Sequence, residues 1–141
     1  MVKSSQIIFM DGKEEALKKL FDGKNDGVFG YLAIGYYDEN DNGFESVDDF
    51  KELEDTNGYH RIELSLSSDP VQKDESTGKV LVKFTGTLDS ENIQQSQAIN
   101  QLAIVDTKSI GANTNYYSAS TFKTFTKTSE SSITFVIGFR I

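Results

Sequence analysis

Hydrophobic and polar residues recur along this chain with two different periods, and the change falls near residue 58. Before it, Ala16, Leu17, Leu20 and Phe21 share one helical stripe within Asp11–Phe21. Asp11 is placed to cap that helix, with Glu14 and Glu15 near its positive end and Lys18 and Lys19 near its negative end. The pattern predicts a short amphipathic helix that stops near Gly23, preceded by a first strand over Gln6–Met10. Val28–Tyr37 is apolar and aromatic, and each of its glycines, Gly30 and Gly35, would cost about 1 kcal/mol inside a helix, so a buried strand is expected. A second small helix is expected over Val47–Leu53, with Ser46 as N-cap and Asp49 at its third position.

After residue 58 the period becomes two. Ile62, Leu64 and Leu66 face one way and Arg61, Glu63, Ser65 and Ser67 the other, which reads as a half-buried strand. Turn residues at Asp69-Pro70 and Asp74–Gly78 separate it from Lys79–Leu88, where Val80, Val82, Phe84 and Leu88 share a face, and the two segments are expected to be neighbours. Ala98–Val105, Tyr116–Phe122 and Ile133–Ile141 complete a set of seven strand candidates. The expected fold is mainly β: an antiparallel β-sandwich or barrel of about seven strands, one domain over 1–141, with one or two short helices near the N-terminus.

Composition narrows the functional classes. Fourteen basic against 22 acidic residues leave a net charge of −8, which disfavours nucleic acid and anionic lipid as partners. The absence of cysteine removes thiol nucleophiles, thiolate zinc sites and disulfides, while 10 Phe and 6 Tyr supply core material. The apolar run Ile7–Met10 is too short for a secretion signal and no stretch approaches the roughly 18 apolar residues of a membrane span, so a soluble chain made inside a cell is expected.

Candidate chemistry is sparse. His60 is the only histidine and has no nucleophile motif near it, so no catalytic residue is assigned. Asp48-Asp49 and Glu52 with Glu54 read as a solvated acidic face, and the glycines at 23, 27, 30 and 35 match no phosphate-binding pattern. One spacing has chemical content: Asp38–Asp49 fits D-x-[DN]-x-[DN]-G with a carboxylate at the twelfth place. Asp38, Asn40, Asn42 and Asp49 would then be the metal ligands of a calcium loop, with the Phe44 carbonyl among them and Gly43 at the turn. Neutral Asn ligands and the short reach of Asp49 imply weak calcium binding, and no other cofactor is expected. Tyr31, Tyr36, Tyr37, Tyr116 and Tyr117 raise a carbohydrate- or receptor-binding alternative, although alternation sends the two rings of each Tyr-Tyr pair to opposite faces.

Four stretches carry a resemblance: Tyr31–Gly35, His60–Leu64, Ala98–Asp106, and Ser120-Thr121-Phe122-x-x-Phe125-x-Lys127-Thr128 ahead of the last strand. Their order over the last 110 residues or so resembles small structural proteins of tailed-bacteriophage virions, described as head, neck or tail-fibre-associated. Gln101 stands where that pattern carries Glu, and 38–53 is longer and more acidic than in those proteins. The resemblance implies a non-enzymatic virion protein, made in the host cytoplasm, that decorates the capsid or attaches to the neck and tail. Its implied partners are other virion proteins and copies of itself, with neither nucleic acid nor membrane.

Overall fold

The computed structural model describes residues 16–38, 47–54, 59–73, 76, 80–89, 93, 96–111 and 113–140. Seven strands run in the order β1 (Tyr31–Gly35), β2 (Ile62–Glu63), β3 (Ser65–Lys73), β4 (Val80–Leu88), β5 (Gln97–Val105), β6 (Tyr116–Lys127) and β7 (Ile133–Arg140). They form two antiparallel sheets, β2-β1-β5-β6 and β3-β4-β7. The mainly β, antiparallel architecture is as expected, and of the sandwich and the barrel the two sheets make it the sandwich. The expected strand Gln6–Met10 and the first turns of the first helix lie outside the described residues.

The core forms where the apolar faces meet. Leu32 and Ile34 of β1, Val82, Phe84 and Leu88 of β4, and Ile99, Leu102 and Ile104 of β5 are all buried in one cluster. Gly86 continues the inward face of β4, and a Cβ there would stand 2.7 Å from Leu32 Cδ1, so the sheets meet across that glycine with no room for a side chain.

The segment 61–67 is one strand by alternation and two in the structure. Leu64 lies between β2 and β3 and takes the chain from the first sheet to the second. Its N–H donates to the Gly30 carbonyl at 2.8 Å, and its carbonyl accepts the Gly23 N–H at 2.7 Å. Fully buried and bonded on both sides, Leu64 is a corner that seals one flank of the sandwich. Pro70, expected in a turn, lies within β3, where the register with β4 shifts between Leu66 and Val71 and a missing N–H is tolerated.

Helix α1 is described over residues 16–21. The expected four-residue stripe narrows to Leu17 and Phe21, which lie one turn apart and are buried, while Ala16 and Leu20 are exposed. The second expected helix is a single 3-10 turn, Val47–Asp49. Past it the chain bonds β1: the Tyr36 N–H donates to the Lys51 carbonyl (3.1 Å), the Leu53 N–H donates to the Ile34 carbonyl (2.9 Å), and Glu52 bridges Gly35. β2 pairs only Tyr31 and Leu32, so the rest of that edge of β1 is open to this segment, and strand-like pairing prevails over helix continuation.

Candidate functional site

The outer face of the first sheet carries Ala33 of β1 and Ala103 and Val105 of β5, small residues over which Phe50 packs. Beside them two buried amides of β5 hold the acidic connection that follows β1. Asn100 Oδ1 accepts the Tyr37 N–H (3.0 Å), and its Nδ2 donates to the Tyr37 carbonyl (2.9 Å) and to Thr124 Oγ1 (3.1 Å). Gln101 Oε1 accepts the Lys51 N–H (2.8 Å) and its Nε2 donates to the Asp49 carbonyl (3.1 Å). Each amide replaces a ladder partner, so both ends of the connection are tied to the same strand. A Cβ on Gly35 would meet the Lys51 carbonyl oxygen at 2.5 Å and Gln101 Oε1 at 2.7 Å. Gly35→Ala is therefore expected to cost about 1–3 kcal/mol and to speed proteolytic cleavage after Lys51; an unchanged digestion rate would show that the segment can shift at no cost.

A second network lies under the same covering. Arg61 is 3% exposed. Its Nε and Nη2 donate to the two Glu52 carboxylate oxygens at 2.8 and 2.7 Å, and its Nη1 reaches the Thr107 and Ser109 carbonyls and the Thr107 and Thr114 hydroxyls. The buried Tyr59 hydroxyl donates to Glu52 Oε2 (2.7 Å) and accepts the Ile34 N–H (2.9 Å). Burial, then the neighbouring Glu52 charge, holds this phenol protonated far above the usual tyrosine range. The hydrogen bonds to Glu52 raise the Arg61 pKa further. Arg61 was expected on the polar side of a half-buried strand. The side is as expected, but segment 47–54 together with segments 106–111 and 113–115 covers it, so the outer face here is not a solvated one.

Asp106 closes the second of those segments. Its Oδ1 accepts the Asn115 N–H and its Oδ2 the Asn115 side-chain amide, both at 2.8 Å. These two bonds hold its carboxyl below the ordinary aspartate range. A folded-state pKa below the unfolded one adds stability above the unfolded pKa, and that stability is lost as pH falls through the folded value. Asp106→Asn is accordingly expected to flatten the acid limb of the stability–pH curve measured by urea denaturation, and an unaltered limb would show that this carboxylate contributes nothing.

Among the described residues, those singled out for chemistry form no single cluster. Asn40 and Asn42 of the candidate calcium loop lie outside the described residues; Asp38 is exposed and Asp49 half-buried. Among the described residues no group of three or more His, Cys, Asp or Glu side chains is placed to hold a metal. His60 is exposed and borders two adjoining open clefts, of about 230 and 380 Å³, that share it with Lys108. Glu52 of the expected acidic pairs is the partner of Arg61, whereas Glu54 is exposed. The tyrosines do not form one platform: Tyr116 packs edge-on against Phe50 on the outer face, and Tyr117 against Phe21, Phe29 and Phe139 at the opposite side of the strand.

The sheet edges are unequal. β2 has two residues, β3 contains Pro70 and a register shift, and β6 has two register shifts and carries Lys123 and Lys127. Each is a device that blunts an edge. β7 has none of them: eight consecutive residues pair with β4 without a break, and its one charged residue, Arg140, comes last. Among the described residues nothing pairs on its other side. Its alternation puts Ile133, Phe135, Ile137 and Phe139 against the core and leaves Thr134, Val136 and Gly138 exposed, with Val136 at 60%. Sequence reading marked this strand; that it ends a sheet follows only from the pairing.

Comparison with models of known protein families, with curated proteins and with solved structures finds no match, and the virion-protein resemblance gains no support there. Among the described residues no helix is long and apolar enough to cross a membrane.

Proposed function

We propose that the chain is a non-enzymatic structural protein that works by protein–protein assembly, of the kind that decorates a bacteriophage capsid or attaches to its neck and tail. The observation that carries this reading is the β7 edge, an eight-residue strand without proline, lysine or bulge that among the described residues ends a sheet whose other edge is blunted. The internal polar network supports it. Asn100, Gln101, Arg61 and Glu52 are spent on fixing backbone segments and one another, which makes a rigid body suited to repeated docking. Its partners under this reading are other virion proteins and further copies of the chain.

Mass spectrometry of purified particles with copy-number measurement tests the proposal. Recovery at on the order of hundreds of copies is expected for a decorating protein, and about a dozen or fewer for a neck or tail component, as the symmetry of each location dictates. Absence from particles made with the protein present would overturn it.

A further inference from the structure

We propose that β7 pairs with β7 of a second copy, antiparallel about a two-fold axis through Val136, so that two three-stranded sheets become one of six strands. The inference rests on the assembly reading and names its partner. An isologous edge must be complementary to itself, and an antiparallel strand meets that condition when inward residues stand opposite inward ones. With the axis at Val136, Phe135 stands opposite Ile137, Thr134 opposite Gly138, and Val136, the most exposed of the large apolar residues among those described, opposite its own copy.

Charge favours a second copy as the occupant. The chain is acidic overall, but residues 107–141 hold four basic residues against one acidic, Glu130. Over β6, the turn and β7 the count is three basic residues against the one acidic Glu130, so the stretch that ends in the β7 edge carries none of the chain's net negative charge. The same register brings Arg140 of one copy to Ser132 of the other, beside the turn that carries Glu130, and the two-fold axis makes this pairing twice.

Sedimentation equilibrium of the full chain is expected to give twice the chain mass. The protein has no cysteine, so Val136→Cys introduces a single thiol. Under oxidation it is expected to form a covalent dimer across the axis, because directly opposed antiparallel residues lie within disulfide reach. Thr134→Cys, opposite Gly138, is expected to cross-link far less. Val136→Lys places like charges face to face and is expected to abolish the dimer while leaving the far-ultraviolet circular dichroism unchanged. A wild-type monomer at every concentration, or equal cross-linking at 134 and 136, would overturn the pairing. So would a monomer whose β7 amides resist hydrogen exchange on both edges, which would make a segment of the same chain the occupant. A monomer still recovered in particles sinks the two-fold pairing alone; a dimer absent from particles sinks the assembly reading alone.

Discussion

Arg61→Met is expected to remove about 3–5 kcal/mol of folding stability, the cost of breaking a buried ion pair from one side. The guanidinium is nearly sealed from solvent and its partner Glu52 is 14% exposed, so water cannot fully re-solvate the carboxylate left behind. Two losses add to that of the pair. The Thr107 and Ser109 carbonyls lose the Arg61 donor, and Glu52 keeps only the Tyr59 hydroxyl among the described residues. Arg61→Lys is expected to recover little, since an ammonium cannot span both carboxylate oxygens and the 107–114 carbonyls and hydroxyls together. Replacing Arg61 and Glu52 together by apolar residues of similar size is expected to be much milder than Arg61→Met alone. Urea denaturation of the three variants checks the order, and a single-variant loss below about 1 kcal/mol, the worth of an exposed pair, would show that solvent reaches the site.

Phe21→Ala is expected to cost a similar amount, about 3–5 kcal/mol. Phe21 is 1% exposed; its ring stacks on Phe139 at 4.0 Å and meets Phe84 and Tyr117 edge-on at 6.0 and 4.8 Å. Through Phe84 and Phe139 on one side and Tyr117 on the other, it ties α1 to both sheets at once. The neighbouring Leu20 is 38% exposed, so Leu20→Ala is the control and is expected to change stability little. Hydrogen exchange should separate the two, with faster exchange in residues 16–23 of the Phe21 variant and no change in the Leu20 variant. Equal losses for both would mean that helix propensity, rather than the aromatic contact, holds α1 in place.

Alternation was a sound guide to direction and a poor guide to solvent. The inward sets Val82, Phe84 and Leu88 and Ile133 through Phe139 were legible because side chains in a strand point to alternate faces whatever surrounds them. What covers the outward face is not local information. Gln101 and Asn100 sit under segments brought there by pairings 52 and 63 residues apart along the chain, and Arg61 under Glu52, nine residues before it, and Thr107, 46 residues after it; no neighbouring residue signals the cover. The corner at Leu64 was hidden for a related reason: apolar alternation continues through it without a break, and only the different partners of β2 and β3 reveal the change of sheet. The β7 edge was half legible, since its residues announce a strand but its place at the end of a sheet depends on the whole topology.

The register of β1 against β5, from Tyr31↔Val105 to Gly35↔Gln101, sets the order in which the protein can be made. At the usual pace of about 5–20 residues per second, the ribosome finishes β1 about 3.5 to 14 seconds before it finishes β5, whose last residue, Val105, follows Gly35 by 70 positions. During that interval Leu32 and Ile34 have no lasting neighbour on that side, and the nascent chain offers them to any chaperone within reach.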